Sequence, residues 1–442
     1  MDQTIIGSNR KIDPTRRAHL KPDRTPDDND RVEIGPTDIA FAEWAAAGLQ
    51  APDMPALREY RLARLQEQII HHNCAGLLLF DPLNIRYATD ATNMQLWTTH
   101  NPARACFVPP QGNVILWDFH NCEHLSQHLP LIGEVRHGAS FFYFETGDRT
   151  AAAADEFVAV ILDLMARFGG KNKRLAVDRI EHVGYAALRA NDVDVLEGQV
   201  LTEHARSVKN ANELNAMRCA IHACERAVDE MRDAMRPGVS ENEMWAALHA
   251  GNIKRGGEWI ETRILASGPR TNPWFQECGP RIMQEGDMMA FDTDLVGTHG
   301  YCCDISRSWI VGDARPTDEQ RTLYQIAYEH VMTNISLIKP GMTFAEMTAK
   351  AHRLPEAYRP LRYGVLAHGV GLCDEYPSVR YPEDVEAHGY SGSFVPGMTL
   401  CVEAYVGAVG GQEGVKLEEQ VVVTEIGCAP LSQYPYEKAL LA

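Results

Sequence analysis

The sequence predicts a two-domain protein of the α/β class. Its 442 residues are about three times the ~150 residues of a common domain, so we expect two large domains. In the first half, apolar runs typical of buried strands alternate with segments of helical periodicity, and strands dominate most of the second half. We expect an N-terminal arm over residues 1–50, an α/β domain over 51–205 and a second domain over 206–442.

Composition and charge narrow the classes of function. Hydrophobic residues make up 45% of the chain and charged residues 23%, as in ordinary folded proteins. The net charge of −18 repels phosphate backbones and anionic lipids, so we expect a small-molecule ligand and neither nucleic acid nor membrane as a partner. The chain opens without a basic stretch followed by an apolar core, and the apolar run 74–80 is far shorter than the ~18 to 20 residues of a membrane span. We therefore expect a cytoplasmic protein.

The elements of the first domain are predicted from apolar runs between turn residues. The run 75–80 is typical of a buried strand, and the turn residues Asp81 and Pro82 follow it. Further expected elements are strands at 105–108, 114–118, 175–178 and near 194, and a long helix over 151–168.

Helix starts in the second domain are indicated by N-cap residues. Asn210 precedes a long helical pattern, and Ser240 with Glu243 three residues later predicts a capping box. Helices are also expected near 318–337 and 344–352, with strands over most of the remainder.

Two apolar runs around a Gly-rich turn at 297–300 predict a β-hairpin that carries aspartates. Asp292 and Asp294 are two residues apart, so on a strand both would point to one face. With the turn centred between Thr298 and His299, Asp304 lies level with that pair. Three carboxylates would then gather, although a single strand aspartate is more often solvated.

A second hairpin near the C-terminus repeats this arrangement. Its Gly410-Gly411 turn places Glu403 opposite Glu418. Opposed like charges destabilise a strand ladder, and a bound metal would resolve the conflict. Between the hairpins, the run Ala367-His368-Gly369-Val370-Gly371 offers His368 as a nitrogen ligand, although a lone histidine in an apolar run is more often a core residue.

The candidate ligands suit a pair of metal ions. Five carboxylates and a neutral imidazole around two divalent cations leave a charge of −1, whereas one cation would leave −3, so two divalent metal ions are favoured. Oxygen-rich ligation favours iron, with manganese, cobalt or zinc as alternatives. The predicted ligands are Asp292, Asp294, Asp304, His368, Glu403 and Glu418.

Several motifs occur in order along the chain: 84–87, 206–209, 236–241, 285–287, 300–301 with Asp304 and Arg307, 368–371, 396–398 before Glu403, and 418–427. Together they resemble the creatinase, prolidase and methionine aminopeptidase superfamily, metallopeptidase family M24. The resemblance covers about residues 55–435. It implies a two-domain creatinase/prolidase-like architecture with a C-terminal pita-bread fold and a creatinase-type N-terminal α/β domain. It also implies a homodimer in which the N-terminal domain of one subunit reaches the site of the other.

Departures from the peptidase pattern indicate a different reaction. Aligned on Pro377, the peptidase His-Glu pair is Asp374-Glu375 in this chain, and a further peptidase histidine falls in 272–275, which contains none. These departures, together with the Asp-Thr-Asp run at 292–294, are similar to the dimethylsulfoniopropionate (DMSP) lyase branch of the superfamily.

The lyase resemblance implies a carbon–sulfur bond cleavage that splits zwitterionic DMSP into dimethyl sulfide and acrylate. Asp374 is then the candidate general base, and desolvation or its neighbour Glu375 would have to raise its pKa above the ordinary ~3.9. Trp97 and Tyr363 are implied as aromatic contacts of the sulfonium group, with Trp97 supplied across the dimer.

Two other functions stay open at this point. The first is an Xaa-Pro aminopeptidase or dipeptidase with an altered site, which hydrolysis of Xaa-Pro peptides would reveal. The second is a non-catalytic binding protein on the same scaffold, which a metal assay would test.

Overall fold

The computed structural model describes residues 34–126 and 128–442, together with the backbone of a short strand pair, His19–Leu20 and Pro26–Asp27. The chain divides into two compact units: Met1–Ile34 with Met54–Arg206, and Gly35–Asp53 with Ser207–Ala442. Apart from that strand pair, the predicted arm before residue 34 lies outside the described residues. The part of the predicted arm over 35–50 belongs to the second unit.

The first unit is built on a mixed six-stranded sheet. Its two central strands, Ala105–Val108 and Leu77–Leu79, are antiparallel, whereas the pairs at both edges are parallel. The strand order is Ile132–Arg136, Val114–Trp117, Ala105–Val108, Leu77–Leu79, Arg174–Val177 and Asp194–Glu197. The α-helices are Met54–His71, Pro82–Thr89, Gln95–His100, Tyr143–Thr146, Thr150–Gly169, His182–Ala190 and Gln199–Arg206.

The helix Thr150–Gly169 covers the core of this unit. It buries Phe157 and Ile161 against Leu78 and Phe107 of the sheet. Helical spacing of the apolar residues gives the helix one continuous apolar face, which explains why the sequence located it within one residue at each end.

Capping residues define the helix starts of the second unit. Asn210 caps Ala211–Ala234 and Ser240 caps Glu241–Ile253, and both complete capping boxes with a glutamate three residues later, as predicted for Ser240. The remaining α-helices are Asp38–Ala46, Asp318–Leu337, Phe344–Lys350, Val385–His388 and Lys438–Leu441.

Three sheets form the β-structure of the second unit. The largest has the strand order Asp374–Val379, Ala367–Val370, Thr399–Gly407, Gly414–Val423 and Cys428–Pro430. A three-stranded sheet has the order Ser306–Ile310, Met288–Asp292 and Leu265–Ser267, and Leu295–Val296 pairs with Cys302–Cys303.

The two long strands of the largest sheet have faces of opposite character. Leu400, Val402, Leu417 and Val421 pack with the helix Asp318–Leu337 in one apolar core. Because side chains alternate along a strand, the residues between them point to the other face. That other face carries Glu403, Lys416 and Glu418.

The helix Asp38–Ala46 is anchored to the second unit through Trp44. The buried indole donates from Nε1 to the carbonyl oxygen of Cys219 at 2.9 Å, and its ring stacks on His299 with centroids 5.8 Å apart. In the described part of the chain, none of the helices combines the length and apolar character needed to span a membrane.

Candidate metal centre

The second hairpin places its two glutamates as predicted. Thr399–Gly407 and Gly414–Val423 form an unbroken antiparallel ladder in which Glu403 lies directly opposite Glu418. Both side chains are 0% exposed. The register prediction from the Gly410-Gly411 turn is therefore confirmed, and two carboxylates face each other away from water.

The first hairpin differs from its prediction. The strand ends at Asp292 and pairing resumes at Leu295, so Asp292 and Asp294 do not share one strand face. Asp294 has a φ of 37°, in the left-handed region that non-glycine residues rarely occupy. The prediction of a continuous strand through Asp294 is wrong, because strand pairing is interrupted there and the side chain of Thr293 makes hydrogen bonds across the hairpin instead. Its Oγ1 donates to the Cys303 carbonyl at 2.7 Å and accepts from the Ile305 N–H at 2.9 Å.

The predicted site residues nevertheless come together in three overlapping groups. In each group, one donor atom per residue lies within 4.8 Å of the others. Asp304 and Glu418 each belong to two groups, so they link all three. The groups are Asp304, His368, Cys401 and Glu418; Asp292, Glu403 and Glu418; and Asp294, Asp304 and Asp374.

His368 lies at the middle of the buried acids. Its Nε2 is 3.4 Å from Asp304 Oδ2, 3.4 Å from Glu403 Oε1 and 3.6 Å from Glu418 Oε1. Its Nδ1 is 3.0 Å from the Gly369 carbonyl and 3.5 Å from Asp374 Oδ1. A protonated Nδ1 that donates to this carbonyl would leave the lone pair of Nε2 available to bind a metal.

Lys416 is a site residue that the sequence reasoning missed. Its ammonium is fully buried and lies 2.6 Å from Asp292 Oδ2, 2.9 Å from Glu403 Oε2 and 2.9 Å from Glu418 Oε2. The signal that could have found it is its spacing. Lys416 precedes Glu418 by two residues in an apolar strand, so both point to one face.

Burial and charge set the protonation behaviour of these groups. Burial raises the pKa of Asp292 to about 6, with the Glu418 charge adding to the rise and Lys416 opposing it. Burial acts in the same direction on Glu418, but Lys416 and His368 outweigh it and lower its pKa. The acids of the site therefore differ in proton affinity although they are adjacent.

The donor set fits divalent metal ions. Asp304 Oδ1, Glu403 Oε1 and Glu418 Oε1 are buried and accept no hydrogen bond within the described part of the chain. A buried carboxylate oxygen without a donor is costly, and a cation would satisfy it. These oxygens and His368 Nε2 together form an oxygen-rich set with one nitrogen, which are donor types that bind divalent metal ions.

Asp374 differs from the other acids in its exposure. Its side chain is 57% exposed, whereas those of Asp304, Glu403 and Glu418 are at most 4% exposed. Partial desolvation raises the pKa of Asp374, and the nearby imidazole of His368 opposes that rise. Desolvation is the main cause of the raised pKa of Asp374. The adjacent Glu375, which is buried in an ion pair with Lys209, contributes little to it.

Two aromatic pairs of the second unit each place one ring within 6 Å of the Lys416 ammonium. The Tyr363 ring centroid is 4.4 Å from Lys416 Nζ and 5.2 Å from the Phe275 ring. Trp274 is buried and stacks on Tyr405 with centroids 5.7 Å apart. Tyr363 therefore lies beside the predicted metal ligands, and Phe275, which the sequence reasoning left without a role, extends its aromatic surface to solvent with 60% exposure.

Trp97 belongs to the first unit, on the helix Gln95–His100. Its side chain is 38% exposed, and its ring lies 5.5 Å from that of Phe119. Its predicted contact with substrate stays a prediction.

Comparisons with known proteins identify the family of the chain. Residues 215–425 match the model of metallopeptidase family M24. The chain is 53% identical over 437 residues to dimethylsulfoniopropionate lyase DddP of Roseovarius nubinhibens, covering 98% of each chain. It is 50% identical to the protein of the same name from Roseobacter denitrificans, covering 99% of this chain and 98% of that one.

Solved structures of low identity share the fold. The Xaa-Pro dipeptidase from Bacillus anthracis matches with a TM-score of 0.67 and 23% identity, covering 85% of this chain and 98% of that one. The X-Pro aminopeptidase from Thermotoga maritima matches with a TM-score of 0.69 and 21% identity, with the same coverage. The predicted prolidase-like α/β architecture with a pita-bread fold is confirmed.

Proposed function

The chain belongs to metallopeptidase family M24, and within that family we propose that it is a DMSP lyase, a carbon–sulfur lyase that releases dimethyl sulfide and acrylate. The observation that carries this proposal is the 53% identity to a lyase of that name over 98% of both chains. Relatives with peptidase names are far more distant, such as the Xaa-Pro dipeptidase of Pyrococcus furiosus at 29% over 52% of this chain.

We propose Asp374 as the general base. An acid that is half exposed beside a buried acidic cluster can meet a substrate from solvent, and its raised pKa makes it a better base than an ordinary aspartate. The carboxylate of Asp374 takes the proton from the carbon α to the substrate carboxylate. The electron pair of that C–H bond forms the C=C bond of acrylate, while the C–S bond breaks and sulfur leaves with its pair as neutral dimethyl sulfide.

Tyr363 supports recognition of the sulfonium end. Its ring borders the acidic cluster, and an aromatic face attracts a sulfonium cation by about 0.5 to 2 kcal/mol. We propose that Trp97 from a second copy of the chain adds a further aromatic contact in a homodimer. Light scattering tests the dimer, which would have twice the 49.2 kDa mass of one chain.

We propose that two divalent cations bind to Asp292, Asp294, Asp304, His368, Glu403 and Glu418, with iron favoured and manganese, cobalt or zinc as alternatives. When bound, such cations would stabilise the negative charge that develops on the substrate carboxylate. Metal analysis of the purified protein would identify the native ion. The cytoplasm is the location we propose, and cell fractionation would test it.

Headspace gas chromatography of the metal-loaded protein with DMSP tests the lyase activity. Dimethyl sulfide and acrylate in equal amounts are expected. The same preparation is assayed with an Xaa-Pro dipeptide. Proline release without dimethyl sulfide would overturn the lyase proposal in favour of a peptidase, and silence in both assays would indicate another substrate or a binding role.

A further inference from the structure

Lys416 is enclosed by the acids of the candidate metal centre. Its Nζ contacts one oxygen from each of Asp292, Glu403 and Glu418, and it donates to Ser306 Oγ at 2.9 Å. The Ser306 hydroxyl is itself 2.7 Å from both Asp292 Oδ1 and Glu418 Oε2. The ammonium group therefore belongs to the same network as the predicted metal ligands, on which this inference rests.

The contacts of Lys416 divide the oxygens of the glutamates into two sets. Glu403 Oε2 and Glu418 Oε2 face the ammonium, whereas Glu403 Oε1 and Glu418 Oε1 lie 3.4 Å and 3.6 Å from His368 Nε2. The oxygens near His368 have no hydrogen-bond donor in the described part of the chain, and Glu403 Oε2 contacts the ammonium at 2.9 Å as an ion pair without hydrogen-bond geometry. Each glutamate thus offers one oxygen to the lysine and keeps the other for a cation.

The charge of the cluster explains why a lysine is useful there. The five carboxylates predicted as metal ligands, without Asp374, and one ammonium carry a formal charge of −4, which two divalent cations would balance. Before any metal binds, the opposed Glu403 and Glu418 repel each other in a site that excludes water. An uncompensated buried charge is strongly destabilising, so the empty cluster needs an internal cation.

We propose that Lys416 is the resident counter-ion of the metal centre, a positioning residue that holds the acids together before metal binds and weakens metal binding in return. An ammonium close to the cations repels them. Lys416 should therefore stabilise the metal-loaded fold less than it stabilises the metal-free fold. A group with a purely structural role would stabilise both states equally.

The test compares wild type with Lys416→Met, Lys416→Arg and the control Tyr405→Phe. Methionine keeps the length of the side chain and removes the charge, and arginine keeps the charge. Tyr405 lies opposite Lys416 in the ladder and is buried, and its hydroxyl lies 2.9 Å from both the Thr271 carbonyl oxygen and Asn272 Oδ1, neither of which belongs to an acid. Unfolding midpoints in urea are measured with a chelator and with saturating Mn²⁺, and Mn²⁺ affinity is measured separately by competition with a chromogenic chelator.

The expected result is a larger loss of stability for Lys416→Met in chelator than in Mn²⁺, together with Mn²⁺ binding that is ~10-fold tighter or more. Because binding and folding are linked, the two measurements must agree. Lys416→Arg should behave like wild type in both, and Tyr405→Phe should lose the same stability in both states with unchanged affinity.

Equal losses in the two states, or weaker Mn²⁺ binding by Lys416→Met, would overturn the counter-ion role. If Lys416→Met does not fold without metal, the double variant Lys416→Met/Glu403→Gln restores the net charge and should fold in chelator. Failure of the double variant would assign Lys416 a structural role instead. If wild type binds no Mn²⁺ or other divalent ion, the metal centre and this inference fall together. Normal metal binding without DMSP cleavage would contradict the lyase proposal alone.

Discussion

The two hairpins of the second unit that carry acidic residues bring their carboxylates to the candidate metal centre in different ways. The ladder between Thr399–Gly407 and Gly414–Val423 runs without a break and turns Glu403 and Glu418 inward by strand alternation alone. The hairpin between Met288–Asp292 and Ser306–Ile310 is interrupted, and the side chain of Thr293 bridges the gap. A continuous ladder places donors rigidly on one face, whereas the interruption lets Asp292 and Asp294 enter different groups.

The largest expected effect comes from the continuous hairpin. Glu418→Gln should lower DMSP cleavage by ~1000-fold or more and remove bound metal, because loss of a ligand exceeds the ~10- to 100-fold cost of losing an outer partner. Asp294→Asn, in the interrupted hairpin, should lose less metal, because Asp294 belongs to one group and is also held by Thr262 at 2.7 Å.

Metal content by elemental analysis and headspace chromatography check this pair of variants. Glu425→Gln is the control, since Glu425 is exposed just beyond the end of the second hairpin. A greater loss of metal in Asp294→Asn than in Glu418→Gln would contradict the comparison.

Asp374 lies outside both hairpins, on the strand Asp374–Val379. Asp374→Asn should lower turnover by ~100- to 1000-fold, as expected for loss of a general base, with metal content unchanged. Loss of metal together with activity would instead make Asp374 a ligand of the group that it forms with Asp294 and Asp304.

A matched pair of threonine variants measures the cost of the interruption. Thr293→Val removes two hydrogen bonds, one to the Cys303 carbonyl and one from the Ile305 N–H, and should lower the free energy of unfolding by about 2 to 3 kcal/mol. Thr399→Val, in the continuous hairpin, removes only a donor to the Val370 carbonyl and should cost about 1 kcal/mol. Urea unfolding of the metal-free proteins checks both values, and equal costs would show that Thr293 does not bridge the ladder.

A smaller effect concerns the helix that supports the continuous hairpin. Burial, aided by the charge of His352, lowers the pKa of His330 to about 3. The unfolded chain binds this proton near pH 6.5, so the fold loses stability as pH falls below 6.5. Between pH 7.5 and 5.5 the loss from this group is about 1.4 kcal/mol.

Wild type and His330→Gln, both loaded with metal, isolate this contribution. All other groups titrate in both proteins. The difference in the free energy of unfolding between wild type and His330→Gln should therefore fall by about 1.4 kcal/mol between pH 7.5 and 5.5. An advantage that stays constant with pH would show that His330 is protonated as readily in the fold as outside it.

The sequence could predict features that depend on local periodicity. Helix starts at Asn210 and Ser240 followed from capping chemistry, and the pairing of Glu403 with Glu418 followed from the turn position. Asp294 could not be placed in this way, because its conformation depends on hydrogen bonds made by Thr293 to residues across the turn. Lys416 could not be predicted for another reason. Its role depends on three acids at other positions of the chain, which only the folded structure brings around it.

The helix Asp38–Ala46 has a consequence for how the protein is made. Since Gly35–Asp53 belong to the second unit, and the segments on both sides of them, Met1–Ile34 and Met54–Arg206, belong to the first, the two units alternate along the chain. During synthesis, the helix Asp38–Ala46 leaves the ribosome before residues 54–206 of the first unit. Its Trp44 can contact Cys219 and His299 only after those residues have also been synthesised. A fragment starting at residue 207 would expose that Trp44 contact surface, including the ring of His299 at the turn of the first carboxylate hairpin.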